Sequence, residues 1–312
     1  VSRHASDKHW LGVLTFVSLV VCITSWFIIM TPLVILRTTP VYRVQRIFAR
    51  LNVKFATFWV GSNQRLYRIL HPRHLPAQVQ GTLDPRKSYM VLSNHQSWAD
   101  ILLLFNVMHK RLPFLRFFLK KELIWVPIVG VICWAMDFPF MRRYSASQLA
   151  RNPQLASSDL ETTRKACEIY KLDPVAVVNF VEGTRFSPKK AKRTKSPYRH
   201  LLKPKYGGLS AAFNAMGEQF AGIVDVTIQY EPCQRSIAWS WLCGGQSKAR
   251  VHIRVLPVPA HLLAGNYRDD PVFRQQFKDW VDGVWAEKDQ FLESLRQSGK
   301  PQVQRQVAAA MA

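Results

Sequence analysis

Eight consecutive residues carry the sharpest chemical signal in the chain: Ser93-Asn94-His95-Gln96-Ser97-Trp98-Ala99-Asp100. An imidazole steadied by a carboxylate is the pair that takes a proton from an alcohol as the alcohol attacks a carbonyl. On one continuous helix, residues five apart point about 140° away from each other. His95 and Asp100 therefore meet only if His95 lies in a loop and Asp100 in the first turn of a following helix. The sequence supplies that boundary: Tyr89–Leu92 reads as a strand, and Ser97-Trp98-Ala99-Asp100 is a capping-box-like S-x-x-D. A carboxylate near a helix N-terminus stays ionised. It then holds the imidazole in one tautomer and leaves the other nitrogen to accept a proton. A plainer reading fits the octapeptide equally well, with Asp100 only capping the helix and His95 bonded to backbone.

A second cluster follows the apolar run Val175–Val181, which reads as a buried strand and leads directly into Glu182-Gly183-Thr184-Arg185. In α/β sheets, reactive groups gather at the carboxyl ends of strands. Gly183 allows close approach of backbone to a ligand. Arg185 offers a planar fork for phosphate, and Glu182 is placed to orient either that arginine or His95. A Glu–Arg surface pair at a turn is the plainer alternative. The basic run Lys189, Lys190, Lys192, Arg193, Lys195, Arg199, Lys203 and Lys205 comes next, ending in Tyr206-Gly207-Gly208. Those glycines are expected to form an anion-holding turn before a helix, with Lys205 on phosphate. A solvated loop held to a membrane by charge accounts for the same run.

Taken together these blocks resemble the glycerolipid acyltransferases typified by 1-acylglycerol-3-phosphate O-acyltransferase, or lysophosphatidate acyltransferase. The family's N-H-x-x-x-x-D block stands as Asn94-His95 through Asp100. Its second block, ending in arginine, is matched by Phe138-Pro139-Phe140-Met141-Arg142-Arg143, with Arg143 preferred over Arg142. The third, usually F-P-E-G-T-R, stands as Phe180-Val181-Glu182-Gly183-Thr184-Arg185. Val181 in place of proline leaves the reaction class standing and blurs the acceptor. Ile223–Ile228 is a looser match to the fourth block. The resemblance runs over about residues 85–235 with the blocks in order. It implies His95 as general base and Asp100 as its support. It also implies an acceptor site shaped by Glu182, Gly183, Thr184, Arg185, Lys205 and the second-block arginine, with oxyanion stabilisation by nearby backbone N–H groups. The implied reaction moves a fatty acyl group from acyl-CoA or acyl-carrier protein to a lysophospholipid hydroxyl, with no acyl-enzyme, cofactor or metal.

The elements that must position these residues are those of an α/β fold: a mixed, largely parallel sheet flanked by helices, after an N-terminal membrane-associated helical segment. Strands are expected at Tyr89–Leu92, Val175–Val181, Ile223–Tyr230 and Arg250–Leu256, the last alternating and so near a sheet edge. Helices are expected at about 98–109, 158–171, 206–217 and 271–296. No charge occurs from Trp10 to Leu36, a stretch long enough to cross a bilayer. Pro32 leaves a span and a re-entrant hairpin both open. Excess Arg and Lys after this stretch orient the remainder toward the cytoplasm. Arg43, Arg46, Arg50 and Lys54 form one helical stripe opposite apolar residues, which suits a helix lying on anionic head groups. Leu123–Met136 is apolar but short, either a buried element or a shallow membrane-facing loop. The expected organisation is an anchor over 1–60, a catalytic domain over 61–297 and a flexible tail over 298–312.

Composition narrows the partners. Lys and Arg number 43 against 20 Asp and Glu, a formal charge of +23 that calls for a polyanionic partner. An anionic phospholipid membrane fits; nucleic acid does not, because no recognition motif for it is present. The five cysteines, at 22, 133, 167, 233 and 243, form no C-x-x-C and suggest neither a disulfide framework nor a zinc site. A reducing, cytoplasm-facing location follows. The first residue is Val, consistent with a trimmed or processed end.

Overall fold

The computed structural model describes residues 8–72, 75–141, 151, 167–232, 236–245, 249–263, 265, 267 and 269–298. Two long helices lead: α1 (His9–Arg37) and α2 (Tyr42–Leu70). The strands are β1 (Ala77–Gln80), β2 (Ser88–Ser93), β3 (Leu115–Phe117), β4 (Leu119–Lys120), β5 (Phe140–Met141), β6 (Ala176–Phe180), β7 (Phe220–Tyr230) and β8 (Ala249–Leu256). Among them run α3 (Ala99–Met108), α4 (Val129–Ala135), α5 (Pro188–Arg193), α6 (Tyr206–Met216) and α7 (Ile237–Leu242), with α8 (Pro271–Ser298) last. Of the expected helix at 158–171, residues 167–170 are helical, Lys171 lies in the turn that follows, and 158–166 lie outside the described residues.

The main sheet has the order β1-β8-β7-β2-β6-β3, and β4 pairs with β5 in a separate two-stranded ladder. Every neighbour pair in the main sheet is parallel except β7–β8. This is the mixed, largely parallel sheet expected from the sequence. β2 is central, and Tyr89, Met90, Val91 and Leu92 are all buried, as a strand covered on both faces requires. Tyr89 and Val91 pack with Leu103, Leu104 and Val178 on one face. Met90 and Leu92 pack with Leu209, Phe213, Phe277 and Trp285 on the other. β8 lies one strand inside the edge, because the four-residue β1 pairs along its outer side.

α8 seals the second face. Its buried stripe includes Phe273, Phe277, Val281, Trp285 and Leu292, and also Lys288, which is 1% exposed. The Lys288 ammonium lies 2.6 Å from Asp225 Oδ1 and donates to the Val226 carbonyl on β7. Arg254 Nε bonds the other Asp225 oxygen at 2.7 Å, and its Nη1 reaches Glu287 at 2.7 Å. A buried ion cluster thus joins α8 to two strands. The same helix grips the segment before α6: Trp285 Nε1 donates to Leu202 O, Asp289 accepts from the backbone of Arg199 and His200, and Asp282 accepts from Tyr198 and Tyr206.

α1 and α2 form an antiparallel hairpin that lies along the domain. Near the start of α1, Thr15 bonds His71 at 2.8 Å and His9 accepts from Trp239 Nε1 of α7 at 3.0 Å. Near its end, Met30 and Val34 pack on Ala135, and Arg37 pairs with Asp137. On α2 the basic stripe is not simply turned outward. Arg46 and Arg50 both bind Asp173, and Arg46 also approaches Asp137 at 3.5 Å, while Arg43 and Lys54 are exposed. Half of the expected head-group face is therefore occupied by the domain's own carboxylates. α2 continues to Leu70, so the expected anchor limit at residue 60 falls inside it.

Candidate active site

β2 ends at Ser93 and α3 begins at Ala99, so His95 falls in the connecting turn and Asp100 in the first helical turn. Nδ1 of His95 and Oδ2 of Asp100 are 2.8 Å apart. A carboxylate carries no proton to donate, so the shared proton sits on Nδ1 and Nε2 keeps its lone pair. Among the described residues Nε2 has no hydrogen-bond partner, and the side chain is 15% exposed, enough for a substrate to reach it. The same carboxylate oxygen accepts from the backbone N–H groups of Gln96 (2.6 Å) and Ser97 (2.9 Å). The capping reading and the histidine-steadying reading are both realised, by one oxygen.

Oδ1 of Asp100 accepts from the Tyr230 hydroxyl at 2.6 Å. Burial first, and the Asp100 charge second, drive the Tyr230 phenol well above its ordinary pKa, so it remains a donor. Asn94 fixes the turn from behind: its side chain donates to Ile228 O and accepts from Ile228 N, both at 2.8 Å. The imidazole stacks on Phe180 with ring centroids 4.0 Å apart and planes at 17°.

Glu182 follows β6 and is 1% exposed, which removes the surface-pair reading. Oε1 accepts from the His95 backbone N–H at 2.9 Å and Oε2 from that of Leu202 at 2.8 Å. It orients His95 through the backbone rather than through the ring. Burial raises its pKa to about 7, against the pull of those two N–H bonds. Phe186 N–H donates to His95 O at 2.7 Å, closing the two turns on each other.

Gly183 has φ +67, and a Cβ there would lie 2.8 Å from Cδ of Lys205. The lysine stem thus lies across a position that only glycine fills without strain. Lys190 Nζ bonds Thr184 Oγ1 and Arg185 O, both at 2.9 Å. Arg185 is exposed, and its guanidinium has no hydrogen bond or ion pair among the described residues. Arg142 and Arg143 lie outside the described residues. Gly207 and Gly208 sit within the first turn of α6 rather than in a turn before it, with open space where a Cβ would be.

Of the expected site residues, His95, Asp100, Glu182, Gly183, Thr184, Arg185 and Lys205 converge on adjoining strand ends. Sequence reasoning missed Tyr230 and the stacking role of Phe180. Tyr230 was findable as the polar tip at the carboxyl end of a long apolar strand.

An imidazole whose Nε2 has no partner among the described residues, a buried carboxylate behind it and exposed cations nearby are the groups that general-base activation of a hydroxyl requires. Residues 74–231, half of the chain, match the Acyltransferase family, and the chain belongs to it. It is 28% identical over 243 residues to an uncharacterized acyltransferase of Saccharomyces cerevisiae, covering 68% of this chain and 59% of that protein. A 2-acyl-1-lysophosphatidylinositol acyltransferase of the same yeast is 22% identical over 69% of this chain and 63% of its own length. The 1-acyl-sn-glycerol-3-phosphate acyltransferase epsilon of Mus musculus is 20% identical over 82% of this chain and 71% of its own.

Proposed function

We propose that the chain transfers a fatty acyl group from acyl-CoA or acyl-carrier protein to the free hydroxyl of 1-acyl-glycerol-3-phosphate, making phosphatidic acid. The observation that carries the reading is the His95–Asp100 contact with Nε2 left for a substrate, beside the unpaired Arg185. Nε2 takes the hydroxyl proton as that oxygen attacks the thioester carbonyl. Asp100 stabilises the imidazolium, the C–S bond breaks, and the proton passes to the departing thiolate. Glu182 keeps the His95 turn in place.

The relatives' names cover two acceptors, lysophosphatidylinositol and 1-acyl-glycerol-3-phosphate. Exposed Arg185, Lys189, Lys192, Lys203 and Lys205 cluster around the Glu182 turn. That density of cations suits a phosphate monoester, with up to two negative charges, better than a phosphodiester with one.

Attachment to a membrane is part of the proposal. α1 carries exposed Trp10, Val13, Phe16, Val17, Val21, Ile28 and Ile35 along its length. At about 1.5 Å per residue it is about 43 Å long, enough to span a hydrocarbon core of about 30 Å. Yet both ends hold the domain through Trp239 and His71 at one end and Ala135 and Asp137 at the other. A span would tear one end away. A helix lying in a single leaflet, with the domain on the same side, keeps both contacts.

The test supplies labelled acyl-CoA to full-length protein in vesicles with lysophosphatidate, lysophosphatidylinositol or glycerol-3-phosphate. Lysophosphatidate should give the highest kcat/KM, and Arg185→Gln should lower it by about tenfold or more, as for loss of one charge-assisted contact. Higher activity on glycerol-3-phosphate or lysophosphatidylinositol would reassign the acceptor.

A further inference from the structure

Among the described residues outside the hairpin, the segment joining β4 to β5 gathers the most exposed large apolar side chains. It comprises a 3-10 turn, Lys121–Trp125, and α4. Trp125 is 83% exposed, with Val126, Val129, Val131 and Trp134 close to 40% each. No charge occurs from Leu123 to Met136, while Lys120, Lys121 and Glu122 stand exposed immediately before it. Apolar tips of this kind on a folded domain mark contact surfaces.

The segment has a fixed shape. Ile128 is held at φ +65, a conformation β-branched residues rarely adopt. A Cβ on Gly130 would lie 2.1 Å from Ile124 O, so only glycine permits this turn. Gly130 N–H and Ile132 N–H close it onto Val126 O and Ile128 O at 2.8 and 2.9 Å. Strain held in a tight, apolar, outward-facing turn is a feature with a use.

Its neighbours say what covers it. α4 packs on the last turns of α1 through Ala135 against Met30 and Val34, and Arg37 lies over the Trp134 ring at 5.0 Å. The patch thus continues the exposed apolar side of α1, where Ile28, Ile29, Ile35 and Leu36 are bare. At its base β3 carries Phe117, which stacks on Phe180, itself stacked on His95. The segment leaves the sheet at the end where the general base sits.

We propose that residues 123–135 are a second membrane-inserting element, which enters the acyl-chain region of the leaflet that holds α1, with Lys120, Lys121 and Glu122 at head-group level. Lysines flanking a tryptophan-tipped apolar turn match the polarity gradient of that interface. The consequence is functional. The start of α1 and this turn beside the end of α1 give two separated contacts that fix the domain's tilt and set the His95 corner against the membrane, where a two-chain product leaves. The inference rests on the membrane attachment proposed above.

The test places an environment-sensitive fluorescent amino acid at position 125, 21 or 189 of the full chain, reconstituted in phosphatidylcholine vesicles with a minority of phosphatidylglycerol. Nitroxide on the lipid acyl chains should quench the label at 125 and at 21 several-fold more than at 189. Aqueous iodide should quench 189 alone. Iodide quenching at 125 with lipid quenching retained at 21 overturns the second element and leaves the anchor standing; iodide quenching at both removes the anchor too. A label at 125 spared by both quenchers and cross-linked to a second copy means protein covers the patch, which also overturns the proposal. Trp125 is exposed, so its replacement leaves the core untouched. A label at Val129 reads the same insertion independently and should lose its lipid quenching several-fold when Trp125→Glu is added.

Discussion

Asp100, in the first turn of α3, and Asp225, on β7, are both buried carboxylates, and their surroundings differ in a single respect. Asp100 is held by neutral donors, the N–H groups of Gln96 and Ser97 and the hydroxyl of Tyr230, together with the ring of His95. Asp225 is held by two full cations, Lys288 and Arg254. Neutral donors stabilise a carboxylate without cancelling its charge. The charge of Asp100 stays available to the imidazolium that forms when His95 takes a proton; that of Asp225 is spent on fastening α8 to the sheet. The first arrangement supports chemistry and the second supports architecture, although burial and residue type are the same.

Substitutions that interchange these roles should break the comparison. Asp100→Asn should lower kcat by about 10²–10⁴-fold, as loss of the carboxylate behind a general-base histidine does, with a small change in Tm. Asp225→Asn should do the reverse. It leaves Lys288 buried and uncompensated, destabilising the fold by about 3–5 kcal/mol by denaturant titration while the folded fraction keeps its kcat. Adding Lys288→Met should recover much of that loss, since an apolar replacement removes the stranded charge.

Glu182 sharpens the comparison because its ionisation lies near neutrality. With a pKa of about 7, its carboxylate accepts both N–H bonds fully only above that pH. Activity should therefore fall as pH drops through 7. Stability runs the other way: a carboxyl whose folded pKa is raised loses stability as pH rises from the ordinary carboxylate range through about 7. Glu182→Gln should abolish that stability slope and reduce activity at every pH, by a factor of about ten for one displaced charge-assisted bond. Tyr230→Phe is expected to be the mildest, at most about tenfold in kcat.

The legible parts of the molecule were those encoded locally. His95 and Asp100 meet because strand end, turn and helix cap lie within eight residues, and the order of local signals sufficed. β2, β6 and β7 were readable as apolar runs. β1, β3, β4 and β5 have two to four residues each, too few for any period to register. Long-range charge pairing was the other blind spot. Nothing near Arg46 and Arg50 foretells Asp173, so a stripe that suits head groups is half taken by the protein itself. Lys288 sits on the apolar stripe of α8 and reads as a misplaced surface lysine until β7 brings Asp225 beneath it. Tyr230 is likewise remote in sequence from Asp100 and is joined to it only by the sheet.

The most direct measurement is acyl transfer from labelled acyl-CoA to lysophosphatidate by purified wild-type and His95→Ala protein, with folding matched by circular dichroism. The variant should lose about 10²–10⁴-fold in kcat with little change in KM if His95 is the general base. Equal rates from the two proteins would contradict it.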